Sequence, residues 1–257
     1  MIALVSALLI VCLGALAWFT RRDIGEYAAF KLLSETADRQ SRYRVWMLRS
    51  FLLFSGLTVL ALAILGRLRD LIVLPPEFAA VSQSLRSVVT TNGLHAGFLI
   101  GFGGALVVGM LAGSVISALV AKRKGATAKA VVVGDIEALM PRNGAETAHT
   151  ALLSLNAGLS EELFFRPLLP LLLTLAFGNA AVAFVAAVLV FGLVHIYQGW
   201  VGVLATIILG LLLTGIYLWT ASILIAIATH AFLDLMGLVV RPTIGRLFAA
   251  RSGLRAW

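Results

Sequence analysis

The residues able to do chemistry fall in three places. Ser160-Glu161-Glu162-Leu163-Phe164-Phe165-Arg166-Pro167 sets two carboxylates and a guanidinium in an apolar region. Phe191 precedes His195 by one helical turn, and His230 precedes Asp234 by one turn. Ionisable groups at membrane depth cost several kcal/mol, so they are rarely kept without a role. If the three pieces meet inside a helix bundle, they form a hydrolytic site.

Adjacent helical positions point about 100° apart, so Glu161 and Glu162 face different surroundings. Glu162 and Arg166 stand at i,i+4 with the acid first, the spacing of a helical ion pair. Such a pair makes both charges tolerable in low dielectric. Glu161 is left without a local partner, and a carboxylate of that kind suits general-base work on water. The competing reading is one structural cluster of Glu161, Glu162 and Arg166 that locks helices together. His195 is open to two readings, a hydrogen-bonded core residue or a member of the site. His230 and Asp234 share a helix face. Such a pair can orient an imidazole, hold a substrate oxygen or bind a metal.

Other polar residues are secondary. Ser154, Asn156 and Ser160 lie on the motif helix, where they could line a cavity, and Tyr197 and Gln198 read as interface anchors. The sequence has no Gly-x-Ser-x-Gly, P-loop, His-Glu-x-x-His or paired-cysteine motif. That disfavours the usual serine hydrolases, NTPases and zincins. Pro167 and Pro170 cannot donate to the carbonyls of Leu163 and Arg166, so the helix kinks just past the acids. Freed carbonyls at membrane depth must face protein or a wet cavity.

The elements that position these groups are helices. The chain has 257 residues, 61% hydrophobic and 12% charged, with a mean hydropathy of +1.02. Soluble domains are nearer half apolar and a quarter charged. The apolar runs are long and do not alternate, which points to an all-α, polytopic transmembrane bundle. About seven spans are expected, at 2–19, 50–66, 94–121, 149–177, 180–197, 200–219 and 221–239. The first reads as an uncleaved anchor with its N-terminus outside, because Arg21-Arg22 follows it and no basic segment precedes it. The polar stretch 20–49 reads as a cytoplasmic loop, part of it an amphipathic helix attracted to anionic lipid. The third span carries Gly97, Gly101, Gly109 and Gly113 at four-residue spacing, suited to close helix packing. The piece AVVVGDIEALM, at 130–140, could rest against the bundle. The single cysteine, Cys12, excludes an intrachain disulfide framework.

With this topology 16 of the 20 Lys and Arg fall on the cytoplasmic side and three, Arg67, Arg69 and Arg86, outside. That is a positive-inside bias with a cytoplasmic C-terminus. It accounts for the net charge of +8 without nucleic acid. Depth then allows a meeting. Glu161 lies about 18 Å from the cytoplasmic start of its helix, His230 and Asp234 about 14 and 20 Å from the outer end of theirs, and His195 about 22 Å.

Glu161-Glu162-x-x-x-Arg166, Phe191-x-x-x-His195 and His230-x-x-x-Asp234, in successive hydrophobic helices over roughly 148–240, resemble the CPBP family. This is the family of CAAX-processing and bacteriocin-processing intramembrane proteases typified by the Ras-converting enzyme. The resemblance divides the chain into N-terminal helices with basic loops (1–147), a catalytic core (148–240) and a basic tail (241–257). It implies a cell-membrane, multi-pass endopeptidase acting on a membrane-associated peptide or protein. Glu161 would match the base that activates water, with His195 helping to hold that water. His230 and Asp234 would match the pair that stabilises the oxyanion, and Glu162 and Arg166 supporting positions. Family members often carry Asn at the position of Asp234. An ionised Asp cannot donate to an oxyanion, whereas Asn can. The resemblance is compatible with no cofactor, or with zinc on Glu161, His195 and His230. A non-catalytic scaffold and a proton-coupled transporter are the other functional classes, and an oligomer is left open.

Overall fold

The computed structural model describes residues 1–91 and 132–251, with isolated positions between 108 and 123. Every regular element among the described residues is helical. They run α1 (Ile2–Phe30), α2 (Thr36–Ser50), α3 (Leu57–Ile64), α4 (Ala79–Thr91), α5 (Gly144–Leu163), α6 (Leu169–Phe177), α7 (Ala180–Val194), α8 (Gly199–Thr220), α9 (Ile223–Asp234) and α10 (Arg241–Arg251). Wider turns at Phe51–Gly56, Phe164–Leu168 and Leu235–Val240 join α2 to α3, α5 to α6 and α9 to α10 without a break.

Four stretches are long and apolar enough to cross a membrane: Ile2–Phe30, Thr36–Ile64, Ile196–Thr220 and Ile223–Leu247. They correspond to the expected first, second, sixth and seventh spans. The expected fifth span is shorter than its apolar run. α7 has 15 residues, so it rises only about 22 Å against a hydrocarbon core of ~30 Å. The expected fourth span is helical, as α5 and α6, but with its charged groups it is not among the four apolar stretches. The glycine-rich third span, with Gly97 and Gly101, lies largely outside the described residues.

The stretch 20–49 differs most from expectation. Only residues 31–35 separate α1 from α2, so both helices extend well past their apolar runs. Paired charges allow this. Glu26 accepts from both terminal nitrogens of Arg49 (2.8 and 2.6 Å), from Arg22 Nε (2.6 Å) and from Trp46 Nε1 (2.8 Å). Arg39, nearly fully buried, meets Glu146 Oε2 at 3.1 Å and donates to the carbonyls of Ala138 and Met140. The second half of the 130–140 piece thus rests against the bundle, with Leu139 packed among Tyr27, Phe30 and Tyr43.

One apolar core draws on both halves of the chain, joining Leu8, Cys12 and Phe54 to Phe164, Phe165 and Phe191. Helices α5 and α9 approach closely at Gly158. A Cβ placed on Gly158 would stand 2.7 Å from the backbone nitrogen of Ala231. Backbone cannot give way as a flexible side-chain tip can, so Gly158 sets the distance between the Glu161-Glu162 turn and His230. Gly158→Val is expected to cost about 1–3 kcal/mol of stability, read as a lower Tm in detergent. Gly14→Ala, at a site with nothing within 4 Å of the added carbon, should leave Tm nearly unchanged.

Candidate active site

Glu162 and Arg166 form the expected i,i+4 pair, both with fully buried side chains. The contact is two-pronged: Arg166 Nε lies 2.8 Å from Glu162 Oε2, and Arg166 Nη2 donates to Oε1 at 3.0 Å. The guanidinium also lies 5.0 Å from the ring centre of Phe191, which gives it a cation–π partner. This pairing is what makes two charges tolerable with no water around them.

The pair is supported by the turn that follows it. Leu169 donates to Phe164 O, five residues back, so the helix widens by one residue where Pro167 withholds its N–H. The carbonyl of Leu163, freed by Pro167, faces the hydroxyl of Thr58 at 3.4 Å. That hydroxyl makes its shorter bond, 2.7 Å, to Phe54 O. Packing against a neighbouring helix, rather than a wet chamber, meets this carbonyl.

His230 is oriented from across the bundle. Its Nδ1 lies 2.9 Å from Glu162 Oε1. An ionised carboxylate only accepts, so Nδ1 carries the proton and donates. Asp234, for which orienting the imidazole was one of three open roles, stands 3.8 Å from His230 Nε2, too far for a hydrogen bond. Glu162 therefore fixes both Arg166 and His230.

His195 caps the C-terminus of α7. The last turn of a helix leaves carbonyls without partners. His195 Nδ1 takes one of them, donating to Phe191 O at 2.8 Å. In the neutral ring this leaves Nε2 as an acceptor. Nε2 faces Glu161 Oε2 at 3.8 Å. Among the described residues Glu161 Oε2 is buried without a hydrogen-bond partner. Two acceptors thus converge with no donor between them.

Glu161, His195, His230 and Asp234 all line one cavity of about 250 Å³. Four groups read from three helices share a single chamber. Ser154, Asn156 and Ser160 do not line it. Their polar groups go to Thr150 O (3.1 Å), Ser50 Oγ (2.7 Å) and Asn156 O (2.7 Å). Tyr197 and Gln198, expected as interface anchors, do line it. So does Asp23 of α1, which sequence reasoning missed because it lay in a stretch taken for a loop.

Residues 143–236 match the family model described as type II CAAX prenyl endopeptidase Rce1-like. This region is Rce1-like. The match covers all three motifs and supports protease and hydrolase activity at a membrane. No curated protein and no solved structure matches the chain.

Zinc on Glu161, His195 and His230 gains no support from this geometry. Among the described residues no three His, Cys, Asp or Glu side chains are grouped to hold a metal ion. A metalloprotease, the class that the zinc alternative implies, therefore gains no support from the site.

Arg166→Leu would strand the Glu162 carboxylate in the core. Breaking a buried pair in this way costs about 3–5 kcal/mol, measurable as a fall in Tm. The double variant Glu162→Gln/Arg166→Leu should recover part of that loss.

Proposed function

We propose that the chain is an integral-membrane endopeptidase that hydrolyses a peptide bond of a membrane-associated substrate with a water activated by Glu161. The observation that carries this reading is the 3.8 Å gap between Glu161 Oε2 and His195 Nε2. Two acceptors at that spacing can each receive one hydrogen of a single water at ~2.8 Å. Its oxygen lone pairs then point away from both, toward an incoming carbonyl carbon.

In the proposed reaction Glu161 takes one proton from water as the oxygen attacks the carbonyl carbon. His195, held by Phe191 O, keeps the water in place. Charge develops on the former carbonyl oxygen. His230 meets it through Nε2–H in its imidazolium form, because Glu162 already accepts from Nδ1. Protonated Asp234 offers a second donor. Collapse of the tetrahedral species breaks the C–N bond, and Glu161 returns its proton to the leaving amine. The products are a free carboxyl and a free amine, with one water consumed. A donor aimed at the developing oxyanion is typically worth 10²–10³-fold in rate.

The apolar and acidic lining suits a peptide segment that arrives from the bilayer. The scaffold and transporter readings have no feature of comparable specificity.

Purified protein incubated with a library of membrane-associated peptides tests the reading. The native chain should cleave, with and without chelator. Glu161→Ala should lose about 10²–10⁴-fold in rate while keeping the native Tm. His195→Ala should lose activity as well. Intact cleavage in both variants would end the proposal. Asp234→Asn should retain cleavage, since Asn keeps a donor, whereas Asp234→Ala should lower kcat.

A further inference from the structure

The family match begins at residue 143, yet the cavity is closed on one side by α1, with Phe19, Asp23 and Tyr27 on its wall. Asp23 is unlike the acids near it. Glu26, one turn on, accepts from Arg49, Arg22 and Trp46. Among the described residues Asp23 Oδ1 is buried with no hydrogen-bond partner. Its nearest cation is Arg49 Nη2 at 3.6 Å. That nitrogen already holds Glu26 Oε2 at 2.6 Å.

Among the described residues, the basic groups at the chamber are committed elsewhere. Glu161 and Asp234 add two carboxyl groups to the same wall. Arg166, fully buried, is spent on Glu162, and His230 is tied to Glu162 as well. A desolvated carboxylate without a donor is costly, and a ligand that supplies one recovers that cost.

We propose that Asp23 is a specificity-determining residue that receives a cationic side chain, lysine or arginine, carried by the substrate close to the scissile bond. The idea rests on the protease reading for what happens next, but not for binding. It gives α1 a part in substrate choice, although α1 carries none of the catalytic motifs. Asp23 sits one helical turn from Tyr27, whose ring can pack on the stem of such a side chain. The cation would sit between Asp23 and Tyr27 and leave the Glu161–His195 gap free for water.

The test uses the full chain carrying Glu161→Gln, so that bound peptide is not consumed. Fluorescent membrane-associated peptides differ at one position, scanned along the peptide, as lysine, norleucine or glutamate. Anisotropy in detergent micelles reads Kd. At one or two positions lysine should bind about tenfold tighter than norleucine, and glutamate more weakly than either. Asp23→Asn should erase the lysine advantage while leaving the norleucine Kd and the Tm in place. Asp23→Glu should retain part of it. Equal binding of lysine and norleucine at every position would overturn the proposal. So would an Asp23→Asn variant that keeps the preference or weakens all peptides alike. Cleavage by the chain with Glu161 intact is read separately. A lysine preference without cleavage would retract the protease reading and leave the cation site standing.

Discussion

The carboxylate of Glu162 is the interaction on which the site depends. One fully buried group holds the Arg166 guanidinium in a two-pronged contact and receives His230 Nδ1 from α9. Left alone, that charge would be untenable in the core. Shared between two donors, it pins α5 to α9 at a fixed rotation. Gly158, lying against the backbone of Ala231, lets the two helices come close enough for the contact. Packing and electrostatics are one constraint here, because a wider helix spacing would break the bond from His230.

This arrangement separates the two glutamates by task. Glu162 is saturated and faces protein. Glu161, one residue earlier, faces the cavity with one oxygen unpartnered and His195 Nε2 across a gap. The division follows from the 100° step of the helix. The ring of His195 is set by the carbonyl that the end of α7 leaves free. Each member of the site is therefore aimed by backbone geometry or by a buried charge, not by the substrate. Preorganisation of this kind keeps groups in place before charge develops.

Much of this was legible in the sequence. The i,i+4 spacing of Glu162 and Arg166 specifies their pair, and the residue step specifies that Glu161 stands apart. The hydropathy of α1, α8 and α9 identifies them as long apolar helices. The partner of His230 was not legible. Asp234, four residues on, is the local choice, whereas Glu162 lies 68 positions away and is reached only through the α5–α9 contact. The extension of α1 and α2 was hidden for a related reason. A hydropathy window averages over charges and cannot register that Glu26 and Arg49 cancel each other. With the extension went Asp23, which looks like a loop residue until the cavity is seen. The polar trio Ser154, Asn156 and Ser160 misled in the opposite sense. Hydroxyls on apolar helices commonly bond the carbonyl four residues back, as Ser154 and Ser160 do.

The central claim is that a water deprotonated by Glu161 attacks the peptide carbonyl. It is tested most directly by cleavage in ¹⁸O-labelled water, with both product termini weighed by mass spectrometry. The account requires one ¹⁸O in the new carboxyl terminus of the product from the native chain. It also requires no labelled product from folded Glu161→Gln protein over the same period. Labelled product formed at the native rate by Glu161→Gln, or a new terminus without ¹⁸O, would contradict it.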